Sequence, residues 1–348
     1  MGAALFFTMV ACGGSGNALG GDFDAGANCT IPASEIFSGG PGKDGIPALT
    51  NPGMVAAGAP GAEYLRDSDR VVGVVLSGQP MAIPLNILWW HEIVNLNVAG
   101  SQVAVTHCPL TGSSLVFDRG GAAGAEFGVS GLLYRNNLIM YDRSTQESLW
   151  PQMLRGAACG ASSGRSLPMM ASMEMSWAGW RSLHPGTQVV ASATGFSRDY
   201  QRYPYGDYAR TDNPQVLFPM GSVDGRRPPK ERVLGIPGAA GHRAYPFGEL
   251  ASLGSAGVAQ GQGDVVFWDG QRQGAMAYQR ELDGVILTFQ VLDGQIRDTG
   301  TDSVWRVDGV AVSGPLEGKR LTPLPEAYVA YWFAWAAFHP GTQIWSAS

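Results

Sequence analysis

Charge is scarce in this chain. Only 15% of its 348 residues are Asp, Glu, Lys or Arg, and the net charge is −6. Binding a phosphate backbone needs a basic footprint, so this balance argues against nucleic acid as a partner. Long apolar runs are missing as well, and none reaches the roughly 18–20 residues that cross a bilayer as a helix. The signatures of a P-loop nucleotide site and of a zinc protease (GxxxxGKS/T, HExxH) are absent. His91-Glu92 opens like the last of these, but Asn95 stands where its second His would be needed. Cysteine is confined to Cys12, Cys29, Cys108 and Cys159.

Apolar residues and turn formers are plentiful. Hydrophobic residues make up 45% of the chain, with 49 Gly and 22 Pro. That composition favours many short strands and turns over long helices, in one large or two ordinary domains. The N-terminus reads as an export signal: the apolar run 3–12, AALFFTMVAC, ends in small residues and Cys12. Met9-Val10-Ala11-Cys12 resembles a bacterial lipobox, which would acylate Cys12 and anchor the protein to a membrane by lipid. The expected location is the periplasm or outer surface of a bacterium, with 13–28 as a flexible tether within a leader region spanning 1–37. With Cys12 set aside, three cysteines remain in an oxidising compartment. Pairing Cys29 with Cys159 would leave Cys108 free, though nothing in the spacing demands it.

The chain then repeats itself. RVVGVVLSGQPMAIPLNIL (70–88) aligns without a gap on RVLGIPGAAGHRAYPFGEL (232–250), sharing Arg70/Arg232, Val71/Val233, Gly73/Gly235, Ala82/Ala244, Pro84/Pro246 and Leu88/Leu250. At an offset of 155, Ser148-Leu149-Trp150 matches Ser303-Val304-Trp305, and Trp177, Trp180 and His184 match Trp332, Trp335 and His339. The expected fold is α+β and β-rich: two internally duplicated units of antiparallel strands with short helices packed on them. The first unit spans 38–195, a connecting segment 196–231, and a second, degenerate unit 232–348. Within the first, 70–83 reads as a hairpin turning at Ser77-Gly78, and a helix runs from Pro84 through Asn95. Strands are expected at 102–106, 114–117, 126–130, 138–141, 167–175 and 187–193, with Ser176 capping a helix.

Repetition separates fold from chemistry. The Trp-x-x-Trp-x-x-x-His pattern occurs twice and lies on one helix face, as expected for a stripe packed on a sheet. His91 and Cys108 occur once: His91 falls opposite Leu253, and no Cys follows Cys159. Imidazole and thiol are the side chains best suited to soft-metal binding or thiol chemistry. His107 adjoins Cys108, and both serve one site only if the strand has ended there, which Pro109 allows. Gln152 falls opposite Val307 and is a candidate weak ligand.

The segments SGGPGKDGIPAL (38–49), WWHEIVN (89–95), VAVTHCPLTGSSLVFDR (103–119), FGVSGLLYRNNLIMYDRSTQESLWPQ (127–152), RDYQRYPYGDY (198–208) and PKERVLG (229–235) resemble the uncharacterised family DUF3179. The resemblance implies a mainly β domain in a bacterial, often exported setting, with no established activity. Many members read Cys-Pro-Leu-Cys where this chain has Cys108-Pro109-Leu110-Thr111, so a CxxC redox pair is lost here. An aromatic residue is common where His107 stands.

Three readings follow. The first is a soft-metal centre, copper being the metal these groups suit best, with His91 and Cys108 as ligands and His107, Gln152 and Met153 as candidates to complete it. The second is a thiol-dependent enzyme with Cys108 as nucleophile and His91 as base. The third is a non-catalytic surface protein whose Tyr-rich stretch 200–208 binds a protein or small molecule.

Overall fold

The expected hairpin at Ser77-Gly78 forms because both residues take the left-handed backbone that a two-residue turn needs, at φ 47° and 81°. It joins β1 (Arg70–Leu76) to β2 (Gln79–Pro84) and leads into α1 (Leu85–His91). The computed structural model in which these elements are seen describes residues 28–239, 241–261 and 263–347. Beyond α1 come β3 (Ile93–Val98), β4 (Ser101–Cys108) and β5 (Ser113–Asp118), an antiparallel meander. After a small sheet built on 127–151, the chain forms β6 (Met173–Ser176), α2 (Trp177–Leu183) and β7 (Gln188–Val190).

After residue 231 the same elements recur. They are β8 (Arg232–Ile236), β9 (Arg243–Pro246), α3 (Phe247–Ala251), β10 (Ala256–Gln260), β11 (Asp264–Asp269) and β12 (Gly274–Gln279). A small sheet on 289–313 precedes β13 (Tyr328–Tyr331), α4 (Trp332–Phe338) and β14 (Gln343–Ile344). A five-stranded sheet contains the four-strand run β6-β1-β2-β7, and an eight-stranded sheet contains the run β13-β8-β9-β14. In each run, only the last pair is parallel.

Two glycines explain how each helix sits on its sheet. A Cβ on Gly73 would lie 2.2 Å from the Trp180 ring, and one on Gly235 would lie 2.1 Å from the Trp335 ring. Each indole thus rests directly on backbone, and its N–H donates to a threonine: Trp180 to Thr187 at 2.8 Å, Trp335 to Thr342 at 3.0 Å. The small sheets share a device too, since Trp150 donates to Asp142 and Trp305 to Asp298.

The meanders are exchanged between the halves. β5 bridges to β13, and the Tyr331 amide donates to the Thr111 carbonyl at 2.8 Å. In the other half the Ser176 amide donates to the Arg272 carbonyl at 2.9 Å, which sets the β11–β12 turn against β6. Each four-strand set is therefore flanked by the other half's meander. The segment 196–231 contains no helix or strand, yet buries Tyr200 and Tyr208.

Several boundaries differ from expectation. The helix predicted through Asn95 ends at His91, because Glu92 takes φ +56° and Ile93 begins a strand. The strand predicted over 167–175 is ordered as one only at Met173–Ser176. Residues 29–37, read as part of the leader region, belong to the body: Cys29 is bonded to Cys159, and Ile36–Ser38 pairs with 132–134. Gly73→Ala is expected to destabilise the fold by about 3 kcal/mol, at the upper end of overpacking effects. Gly186→Ala, where an added Cβ meets nothing within 4 Å, should stay within about 0.5 kcal/mol. Urea denaturation of both variants checks this.

Candidate functional site: a buried thiol and carboxyl

β4 runs through both His107 and Cys108, with Cys108 paired opposite Ser113. The ladder does not end before Pro109, so alternation sends the two side chains to opposite faces. The expectation that they might share a site fails for that reason. His107 Nδ1 is 3.0 Å from Ser114 Oγ, whose proton goes to Glu174. Glu174 is bound by Arg70 at 2.7 Å and faces Arg232 at 3.5 Å. Burial holds the His107 imidazole down at about 4, despite the charge of Glu174, so it is neutral.

Cys108 is 1% exposed, and its thiol donates to the Asn136 carbonyl. Burial, reinforced by the nearby charge of Glu92, pushes it up to about 11. Cys29 and Cys159 form a disulfide, which leaves Cys108 as the free thiol of the described residues. Thr111, in the place of a second Cys, belongs to a closed polar network. Ser113 donates to Gln152 Oε1 at 2.6 Å, Asn137 donates to the same oxygen at 2.8 Å, and Gln152 donates to Thr106 at 2.8 Å. Thr111 accepts from Asn137 at 3.0 Å. The Gln152 amide is therefore used up bracing the thiol turn. Met153 lies in the apolar core beside it.

His91 is fully buried and has no free nitrogen. Nδ1 meets the Pro47 carbonyl at 2.7 Å, so it carries the proton, and Nε2 accepts from the Tyr200 hydroxyl at 2.8 Å. Tyr200 in turn bonds Thr194. Burial lowers the imidazole below its ordinary range, the Pro47 bond opposing and Arg198 adding to the fall. His91 and Cys108 share no hydrogen bond, and a metal at His91 would have to displace Pro47 or Tyr200. Among the described residues no group of three or more His, Cys, Asp or Glu is placed to hold a metal ion. Cys12 lies outside the described residues.

The residue whose charge acts on the thiol is Glu92. It caps α1, its amide donating to Leu88 at 2.8 Å and its carbonyl accepting from His107 at 2.8 Å. At the 162-residue offset stands Gly254, with φ +90°, although the cap of α3 itself is Ser252 at φ −66°. Glu92 takes φ +56°, a backbone that glycine adopts freely and glutamate does not. The Glu92 side chain is 7% exposed and makes no hydrogen bond or ion pair among the described residues. Burial alone raises its carboxyl to about 8.

Tyrosines from 196–231 close over this pair. Tyr205 feels the charges of both Glu92 and Cys108, which add to burial in raising its hydroxyl. Tyr203 packs edge-on against Trp89 at 4.9 Å, and its hydroxyl is buried without a partner. Tyr208 donates to the Leu110 carbonyl at 2.8 Å, and Tyr331 lies on Gly112, 2.6 Å from where a Cβ would be. In the other half the equivalent turn holds Asp269, ion-paired to Arg272, opposite Gly274. Sequence reasoning missed Glu92. Extending the 162-residue offset by one position past His91 would have set it opposite Gly254.

Fold and site define a β-rich protein of two similarly built halves, one of which carries a buried thiol–carboxyl pair. A family model described as "Protein of unknown function (DUF3179)" matches residues 43–342, and the chain belongs to that family. No curated protein and no solved structure matches it.

Glu92→Gly should stabilise the fold. The folded carboxyl titrates near about 8 and the ordinary one at 4.5. Between these values the native state keeps a proton that the unfolded state has lost, so stability falls as pH rises through the interval. The variant's advantage should be about 1 kcal/mol from backbone relief at pH 4 and grow by several kcal/mol toward pH 9. Urea denaturation at both pH values measures it, and a variant less stable than its parent at pH 9 contradicts the assignment.

Proposed function

We propose that this protein carries out thiol-dependent chemistry at Cys108, with Glu92 rather than His91 as the proton acceptor. The observation that carries this reading is Glu92 itself: a buried carboxyl with no side-chain partner among the described residues, near enough for its charge to act on the thiol, and held on a backbone of positive φ. Strained, desolvated acids are retained where they serve a reaction. The Sγ lone pair would form the bond to a substrate's electrophilic centre while the thiol proton passes to the Glu92 carboxylate. Protonated Glu92 would then return that proton to the leaving group. The resting pair at neutral pH is a thiol beside a carboxylic acid, and the base form of Glu92 appears as pH rises through about 8. Tyr203 and Tyr205 would keep water from the pair.

A copper centre on His91 and Cys108 gains no comparable support, since both His91 nitrogens and the Gln152 amide are already bonded. We also infer an internal duplication, supported by the matching strand orders and paired Trp–Gly contacts. An exported setting, with Cys12 as lipid attachment point, is supported by the Cys29–Cys159 disulfide, which persists in oxidising compartments.

Alkylation of Cys108 by iodoacetamide, followed by peptide mapping, tests the pairing. The rate should climb through about pH 8 in the parent. In Glu92→Gln it should fall by about 100-fold at pH 9, the scale of general-base assistance. His91→Ala should stay within about threefold, small against that loss. Equal rates in parent and Glu92→Gln, or a larger loss with His91→Ala, would refute the proposal.

A further inference from the structure

The two halves treat one histidine differently. His184 and His339 each follow a helix and stack on its second tryptophan, at 4.1 Å on Trp180 and 4.0 Å on Trp335. His339 is then enclosed: Nε2 is 2.8 Å from the Tyr328 hydroxyl, and His242 packs on the ring at 4.7 Å. Tyr328 pairs with Gly235, and the residue paired with Gly73 in the first half is Met173. Pro80 stands where His242 would fall at the 162-residue offset. Both enclosing groups are thus replaced by residues that cannot bond an imidazole. His184 is left half-buried, its imidazole with no hydrogen bond among the described residues.

The space so vacated is a cleft of about 500 Å³, lined by His184, Met173 and Pro80 from one half and by Met276, Asp308 and Arg320 from the other. Its charges are unequally committed. Asp308 is held by Arg306, with Nε at 3.0 Å from Oδ1. The Arg320 side chain makes no hydrogen bond or ion pair among the described residues. It bridges to Val310, and the matching bridge of the other half, Gly156 to Ser166, carries no charge. Met173, Met276, Leu321 and Pro323 supply apolar wall. An exposed guanidinium and a half-buried imidazole set over an apolar wall give this cleft the few polar groups and largely apolar lining of a small-molecule pocket. The planar fork of arginine matches a carboxylate.

We propose that this cleft binds a small organic acid, its carboxylate on Arg320 and His184 and its apolar body against Met173, Met276 and Leu321. The proposal is independent of the thiol chemistry, since no residue is shared between the two. Isothermal titration of the full chain with hexanoate and benzoate should show binding in the millimolar range or tighter, with 1-hexanol and inorganic phosphate at least about tenfold weaker. Arg320→Gln, an exposed position, should weaken hexanoate by about tenfold with an unchanged melting temperature. Met173→Tyr, which restores the enclosing hydroxyl of the other half, should abolish binding. No heat from either acid, equal binding of phosphate, or undiminished affinity in Arg320→Gln would overturn the assignment. Because Arg320→Gln alone decides the point, a failure of Met173→Tyr to fold leaves it decidable.

Discussion

An indole lying on the bare backbone of a glycine is the contact on which both halves depend. Trp180 on Gly73 and Trp335 on Gly235 leave no room for even a methyl group. The threonine that accepts each indole N–H fixes the ring's rotation as well as its depth. Helix, sheet and the strand returning after the helix are thereby locked into one unit. A close-packed interior tolerates little change at such a point. With the constraint met twice, any feature present in only one half answers to something other than this packing.

Glu92 is such a feature. The matching helix of the other half is capped by Ser252 at φ −66°, while the backbone of Glu92 takes φ +56°. A carboxyl placed there is strained, buried and unpaired, and each of these properties opposes folding. Natural proteins carry burdens of this kind where a reaction or ligand needs them, trading stability for activity. The thiol beside it is the mirror case. Cys108 packs as comfortably as any small apolar residue and would need no explanation alone. Neighbouring Glu92 makes it a candidate for chemistry, and the polar network under Thr111 and Gln152 holds it in place.

Much of the architecture was legible in the sequence because it rests on local rules. Ser77-Gly78 turned as its residue types require, Ser176 capped α2, and the Trp-x-x-Trp-x-x-x-His stripe packed on a sheet. The misreadings came from tertiary context. Nothing local distinguishes a helix that ends at His91 from one that continues, because the stop is a left-handed glutamate and not a Gly or Pro. Closeness in sequence suggested that His91 and Cys108 act together. In the fold, His91 is claimed by Pro47 and Tyr200, which arrive from 44 residues upstream and 109 downstream. Gln152 looked like a ligand because its position is Val in the repeat. That difference was real, but its cause is the polar brace beneath the thiol turn.

The exchange of meanders gives the half that lacks both His91 and Cys108 a structural part in the thiol turn. The thiol turn does not rest on its own four-strand set. It docks through Thr111 and Gly112 on Tyr331, which belongs to the second half, while Tyr203, Tyr205 and Tyr208 of the joining segment cover it. The second half is therefore a wall of the first half's site. The His184 cleft follows the same logic from the other direction, its charged residues Asp308 and Arg320 coming from the half whose own histidine is enclosed. The second half differs where it faces the first: an Asp269–Arg272 ion pair occupies the turn equivalent to Cys108–Thr111. Two similar halves that each complete the other can specialise without either becoming dispensable.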